Sequence, residues 1–180
     1  MNDWLLIVDM QPAFGDPESP WYTPGYEACA ERIDDLVAAF GTRVTFTRFL
    51  PPERPEGAWI PYYRSWPFAL APENQWLWEV DSRWQGYVAV AGSRFAKWRE
   101  ASPLVPKDAT LVICGVATDC CVLGTALEAV DDGRHVRLVT DACAAGTDAL
   151  HEAAITVMRG RTDMLDVTTT ARELEVHDTK

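Results

Sequence analysis

Apolar runs alternate with helix-length amphipathic stretches along this chain. Residues 4–9 form a continuous apolar run closed by the carboxylate of Asp9, the pattern of a strand buried on both faces. Residues 27–40 place Cys29, Ile33, Val37 and Phe40 at a helical period, with Gly41 as the stop. Residues 43–49 alternate and are rich in β-formers, predicting a second strand. Further strands are predicted over 87–90, 110–116, 135–139 and 164–168, and helices over 119–130, ended by Gly133, and 147–159. Strands alternating with helices imply right-handed crossovers and a mostly parallel sheet covered on both faces, an α/β architecture. Ligands in such sheets sit beyond the carboxyl ends of the strands, which singles out Asp9 and the segment after Val116.

The pattern dissolves over residues 50–85, where Pro51, Pro52, Pro55, Pro61, Pro67 and Pro72 punctuate a stretch rich in tryptophan. A loop this long points to a lid or a pocket wall, with Trp59 and Trp66 as candidate wall residues. Ordinary core packing uses the same side chains. One short helix is expected within it, over 72–80.

At 180 residues the default is one domain, 1–180, large enough for a full core. Sixteen Lys and Arg against 27 Asp and Glu leave a net charge of −11. That balance excludes nucleic acid or an anionic membrane as the main partner, because phosphate neutralisation needs a basic face. A small-molecule substrate remains, and even an anionic one needs only a cation or two. No apolar run reaches the length of a membrane span, and Met1-Asn2-Asp3 lacks the basic region of a signal peptide, so a cytoplasmic location is expected. The five cysteines are odd in number, two are adjacent, and none forms a C-x-x-C pair. They read as reduced thiols, mostly buried, of which one or two are reactive.

Several catalytic signatures are absent: G-x-S-x-G, G-x-G-x-x-G and the phosphate loop. His151-Glu152 begins like a zincin, but Ile155 stands where the second histidine would be. His135 precedes a strand, His151 lies within a helix and His177 falls in the tail, so a cysteine–histidine dyad is not expected. What remains is Gly115-Val116-Ala117-Thr118-Asp119-Cys120-Cys121-Val122, where a buried strand turns into a helix. A thiol in the first turn of a helix meets the positive end of the macrodipole, which favours thiolate and lowers its pKa. Asp9, at the same sheet edge, could take the thiol proton. A pair of buried cysteines beside an aspartate N-cap fits the same residues equally well.

Leu6-Ile7-Val8-Asp9-Met10-Gln11-Pro12-Ala13-Phe14, combined with the Gly115–Val122 motif, resembles the isochorismatase-like cysteine hydrolase superfamily. Val139-Thr140-Asp141-Ala142-Cys143 and the helix containing His151 are similar to its C-terminal half, so the likeness spans almost the whole chain. The resemblance implies a three-layer, Rossmann-like parallel sheet with helices on both faces. It also implies a family that includes nicotinamidases, carbamoylsarcosine amidases, ureidoacrylate and maleamate amidohydrolases and isochorismatases. Asp9 then matches the general acid/base and Cys121 the nucleophile, with Cys120 on a variable position. A cis peptide is implied before Ala117, with the Ala117 and Cys121 amides forming the oxyanion hole, and Phe14 matches a pocket-lining position. Isochorismatases proper lack the cysteine, so Cys121 favours amide-type hydrolysis.

Two departures stand out. The family lysine at the end of the third strand falls on Gly92; Lys97, immediately before Trp98, is the best candidate to replace it, against the alternative of a solvated lysine. Of the other lysines, Lys107 and Lys180 lie far from such a role. The histidines that nicotinamidases place after the second strand are missing from Thr47-Arg48-Phe49-Leu50-Pro51-Pro52, so no metal or other cofactor is expected and nicotinamide is disfavoured. Arg48 is a candidate to face the pocket and pair with a substrate carboxylate. The expected activity is metal-independent hydrolysis of a C–N bond in a small amide or ureido substrate, through a thioester, in a homodimer or homotetramer. Hydrolysis of an ester or vinyl ether, or a catalytically silent binding relative, are the alternatives.

Overall fold

β1 (Asp3–Val8) is the central strand of a six-stranded sheet, and Leu5, Leu6, Ile7 and Val8 are wholly buried between its two helical layers. The computed structural model describes residues 2–178; Met1 and Lys180, which entered the sequence reading, lie outside them. β1 pairs with β2 (Val44–Phe49) on one side and β4 (Thr110–Val116) on the other. With β3 (Ala89–Gly92), β5 (Val136–Ala144) and β6 (Leu165–Thr168), the order is β3-β2-β1-β4-β5-β6, and every pair is parallel. The α/β class read from the alternating pattern is the class observed. Strand order reverses between β1 and β4, and a crevice opens beyond the carboxyl ends of strands at such a switch point.

The helices follow from their apolar stripes. α2 (Tyr26–Phe40) buries Cys29, Ile33, Leu36, Val37 and Phe40 against β1, β4 and β5, and Gly41 ends it at a φ of 62°. α4 (Trp98–Ala101), α5 (Leu123–Asp131) and α6 (Asp148–Arg159) pack on one another and on β3, β5 and β6. The Thr147 side chain caps α6 by accepting from the Leu150 amide at 3.2 Å. No described helix is long and apolar enough to cross a membrane.

Several regions differ from the sequence reading, and β3 ends at Gly92 rather than at Val90. β5 runs on to Ala144, past the predicted end at Val139, because a register shift between Ile113 and Gly115 re-pairs Gly115 with Cys143 and Val116 with Ala144. The C-terminal tail is a helix, α7 (Thr170–Asp178), packed beside α2, so His177 is helical. Between β2 and β3 the chain is less irregular than expected. It holds α3 (Trp59–Ser65) and short 3₁₀ turns, two of which begin at Pro67 and Pro72, where a fixed φ and a missing N–H suit a first helical position. The short helix predicted over 72–80 is the 3₁₀ turn Pro72–Trp78. One further turn, α1 (Pro12–Gly15), follows β1 directly.

Candidate active site

Backbone irregularities bring the ends of β1 and β4 together. Gly115 has a φ of 116°, and a Cβ there would collide with the Val8 backbone; only glycine allows this approach. Asp9 leaves β1 in the left-handed region at a φ of 51°, a conformation aspartate tolerates better than most residues. The Val116–Ala117 peptide is cis, as the resemblance implied.

The Asp9 carboxyl is fully buried and held on both oxygens. Thr47 donates its hydroxyl to Oδ1 at 2.6 Å, and the Lys97 ammonium donates to Oδ2 at 2.9 Å. Lys97 is itself wholly buried and donates also to the carbonyls of Arg94 and Phe95, at 2.6 and 3.0 Å, which uses all three of its N–H groups. Its backbone amide is anchored to the Thr125 hydroxyl on α5 at 2.9 Å, and the ammonium lies 5.0 Å from the centre of the Phe49 ring. Burial alone would pull this ammonium down, but the Asp9 carboxylate, with Cys121, outweighs burial and holds its pKa above the ordinary value. A solvated lysine beside Trp98 is not what the fold contains.

Cys121 sits in a π-helical turn, Thr118–Val122, whose start is tightened by the Ala117 carbonyl accepting from the Cys120 and Val122 amides, both at 3.1 Å. The expectation of a lowered thiol pKa is corrected. A hydrogen bond with the Cys120 side chain, burial and the Asp9 charge push the Cys121 thiol well above its ordinary range, against the opposing pull of Lys97. Resting Cys121 is therefore a thiol that needs a base at the moment of attack. The aspartate that would serve is part of its electrostatic environment.

Cys121, Cys120 and Ala117 line a cavity of about 550 Å³. Of the residues expected in its wall, Phe14 and Trp66 line it, whereas Trp59 and Arg48 do not. Trp59 backs the wall, its ring 4.9 Å from Phe95 and 5.3 Å from Tyr62. Arg48 points away because alternate residues of a strand face opposite sides: Thr47 and Phe49 face the site, and Arg48 bridges Glu79 at 2.7 Å. Sequence reasoning missed Trp21, Tyr62 and Phe95 in the lining, and Thr47 beside Asp9. The Gln11 side chain donates to the Phe49 and Trp78 carbonyls at 3.0 and 2.8 Å and accepts from the Phe49 amide at 2.7 Å, tying the pocket wall to the turn after β1. Among the described residues, no three His, Cys, Asp or Glu side chains converge as metal ligands, so the donor set does not fit a bound metal.

Comparison with known proteins agrees with this fold. The Isochorismatase domain family model matches residues 3–172. A cysteine hydrolase from Pseudomonas syringae pv. phaseolicola 1448A superposes with a TM-score of 0.85 at 20% identity, covering 99% of this chain and 93% of that one. The pyrazinamidase of Pyrococcus horikoshii, solved in complex with zinc, gives 0.72 at 21% identity, covering 94% of this chain and 99% of that one. Isochorismatase domain-containing protein 2 of Xenopus laevis is 34% identical over 55 residues, which is 31% of this chain and 27% of the relative's length. The motifs, the sheet order and these matches agree: the chain belongs to the isochorismatase domain family of hydrolases.

Proposed function

We propose that this protein is a metal-independent cysteine hydrolase that cleaves the C–N bond of a small amide or ureido substrate through a thioester. The observation that carries the reading is the buried Lys97–Asp9 pair, at 2.9 Å, in the electrostatic surroundings of a cavity-lining Cys121. Asp9 takes the Cys121 proton as the sulfur attacks the carbonyl carbon, and the amides of Ala117 and Cys121 receive the developing oxyanion. Asp9 then delivers that proton to the departing nitrogen, the C–N bond breaks, and a thioester remains. Water loses a proton to Asp9 as its oxygen attacks the thioester. The acid departs, and the thiolate recovers the proton from Asp9, so one carboxyl serves as base and acid in turn. Lys97 steadies the negative charge shared between Asp9 and Cys121 throughout.

The test is mass spectrometry of the protein quenched during turnover of an amide panel. An acyl mass on Cys121 with equimolar release of the amine supports the reading. Turnover that survives in Cys121→Ala overturns it.

A further inference from the structure

Seven aromatic side chains line the cavity above Cys121, and six of them are Phe14, Trp21, Phe49, Tyr62, Trp66 and Phe95, which touch one another. They form a connected cluster rather than isolated rings. Trp21 stacks on Phe14 at 6.1 Å and meets Tyr62 and Trp66 at 5.9 and 6.1 Å, and Phe95 lies 6.3 Å from Phe49. The cavity's charge is as one-sided as its shape. Among the described residues, no Lys, Arg or His lines it, and the charged side chain in its wall is Asp119. Two cations considered for such a role are engaged elsewhere: Lys97 is buried with all three donors spent, and Arg48 is paired with Glu79 outside the cavity.

We infer that the substrate carries an uncharged aromatic or bulky apolar group, and that carboxylate-bearing amides are rejected. The inference rests on the amide-hydrolase reading of this site and names its substrate class. A carboxylate entering this cavity would lose its hydration with no cation to replace it and would face Asp119. An aryl group would replace water against ring faces and edges at the separations aromatic pairs favour. A cavity of about 550 Å³ holds a ring system together with the reacting carboxamide. The net charge of −11 disfavours anionic substrates at longer range as well.

The probes are phenylacetamide and its para-carboxylate analogue, which share one reacting group. Turnover of the wild type is measured, and binding to Cys121→Ser is followed by tryptophan fluorescence, so that recognition is read apart from chemistry. The expected result is a preference of about 100-fold or more for the uncharged amide in kcat/KM, and a similar ratio in binding. Asp119→Asn should narrow the ratio by weakening the binding bias against the anion. If the wild type hydrolyses neither probe but Cys121→Ser binds the uncharged one with this preference, the hydrolase reading fails and the pocket inference stands. Equal or tighter binding of the carboxylate overturns the inference, and so does the failure of both probes to bind.

Discussion

Gly92 and Lys97 share one space: a Cβ on Gly92 would stand 3.2 Å from Lys97 Cδ. Gly92 ends β3, where the family resemblance places a lysine, and this chain has no side chain there at all. The vacated room is crossed by the aliphatic stem of Lys97, which comes from the residue before α4 and reaches Asp9 by another backbone route. Removing the ammonium would leave a buried carboxyl without its cation, and breaking such a pair costs about 3–5 kcal/mol. Lys97→Met keeps the stem and removes the charge. Its kcat/KM is expected to fall about 100-fold, with a lowered midpoint in urea. Gly92→Ala, which crowds the stem, should lose activity in the same direction but less. An unchanged kcat/KM in a folded Lys97→Met protein would remove Lys97 from the mechanism.

The Cys120 side chain, burial and the Asp9 charge hold the Cys121 thiol in its protonated form, and Lys97 opposes them. Lys97→Met removes the opposing cation, so the pKa rises and alkylation slows. In the wild type, the alkylation rate should keep climbing as pH passes the ordinary thiol value of 9.0. A plateau below pH 8 would mean a preformed thiolate and contradict this account.

Asp9 and Cys121 were legible because each lies in a short local motif at a strand end, and local order survives in sequence. Lys97 was legible only by elimination among three lysines, because its approach to Asp9 depends on a side chain passing over Gly92. Arg48 was misplaced by one residue of strand parity: with Phe49 facing the cavity, its neighbour cannot. The helix α7 was invisible for a different reason. Its pattern is polar, and it is held by distant partners: Asp141 accepts from the Thr170 amide at 2.7 Å, and Glu173 pairs with Arg137 at 2.9 Å. The short turns between β2 and β3 depend likewise on ring contacts across the fold, around Trp21 above all.

Thr47 is a positioning residue for Asp9. Its hydroxyl donates to Oδ1 at 2.6 Å while its backbone carbonyl accepts from the Asp9 amide at 3.2 Å. Thr47→Val removes that donor, and with it the hydroxyl acceptor of a second bond from the Asp9 amide at 3.2 Å, while keeping the backbone carbonyl bond. The loss should cost about 1–3 kcal/mol of stability, because one oxygen of a buried carboxyl loses a partner. It should also lower kcat about tenfold with KM little changed, and move the pH profile of kcat. Thr47→Ser restores the hydroxyl and should recover most of the rate. A stability loss with an unmoved pH profile would reduce Thr47 to a structural part.

Three thiols outside the site make a prediction about alkaline stability. Burial pushes Cys29 and Cys114 well above the ordinary 9.0, and raises Cys143 to about 12. In the unfolded chain these thiols lose their protons near the ordinary value, while in the folded protein they keep them. Their contribution is therefore fully present below pH 9 and declines as pH rises towards the folded values. Between those limits each thiol removes about 1.4 kcal/mol of stability per pH unit. Cys114→Ala deletes one such group. It should be less stable than wild type at neutral pH, because the fully buried site loses its sulfur contacts. Above pH 9 its stability should fall less steeply than wild type by that same amount per unit. Urea denaturation under reducing conditions across this range measures both slopes, and parallel slopes would show that Cys114 ionises in the folded protein as readily as in the unfolded chain.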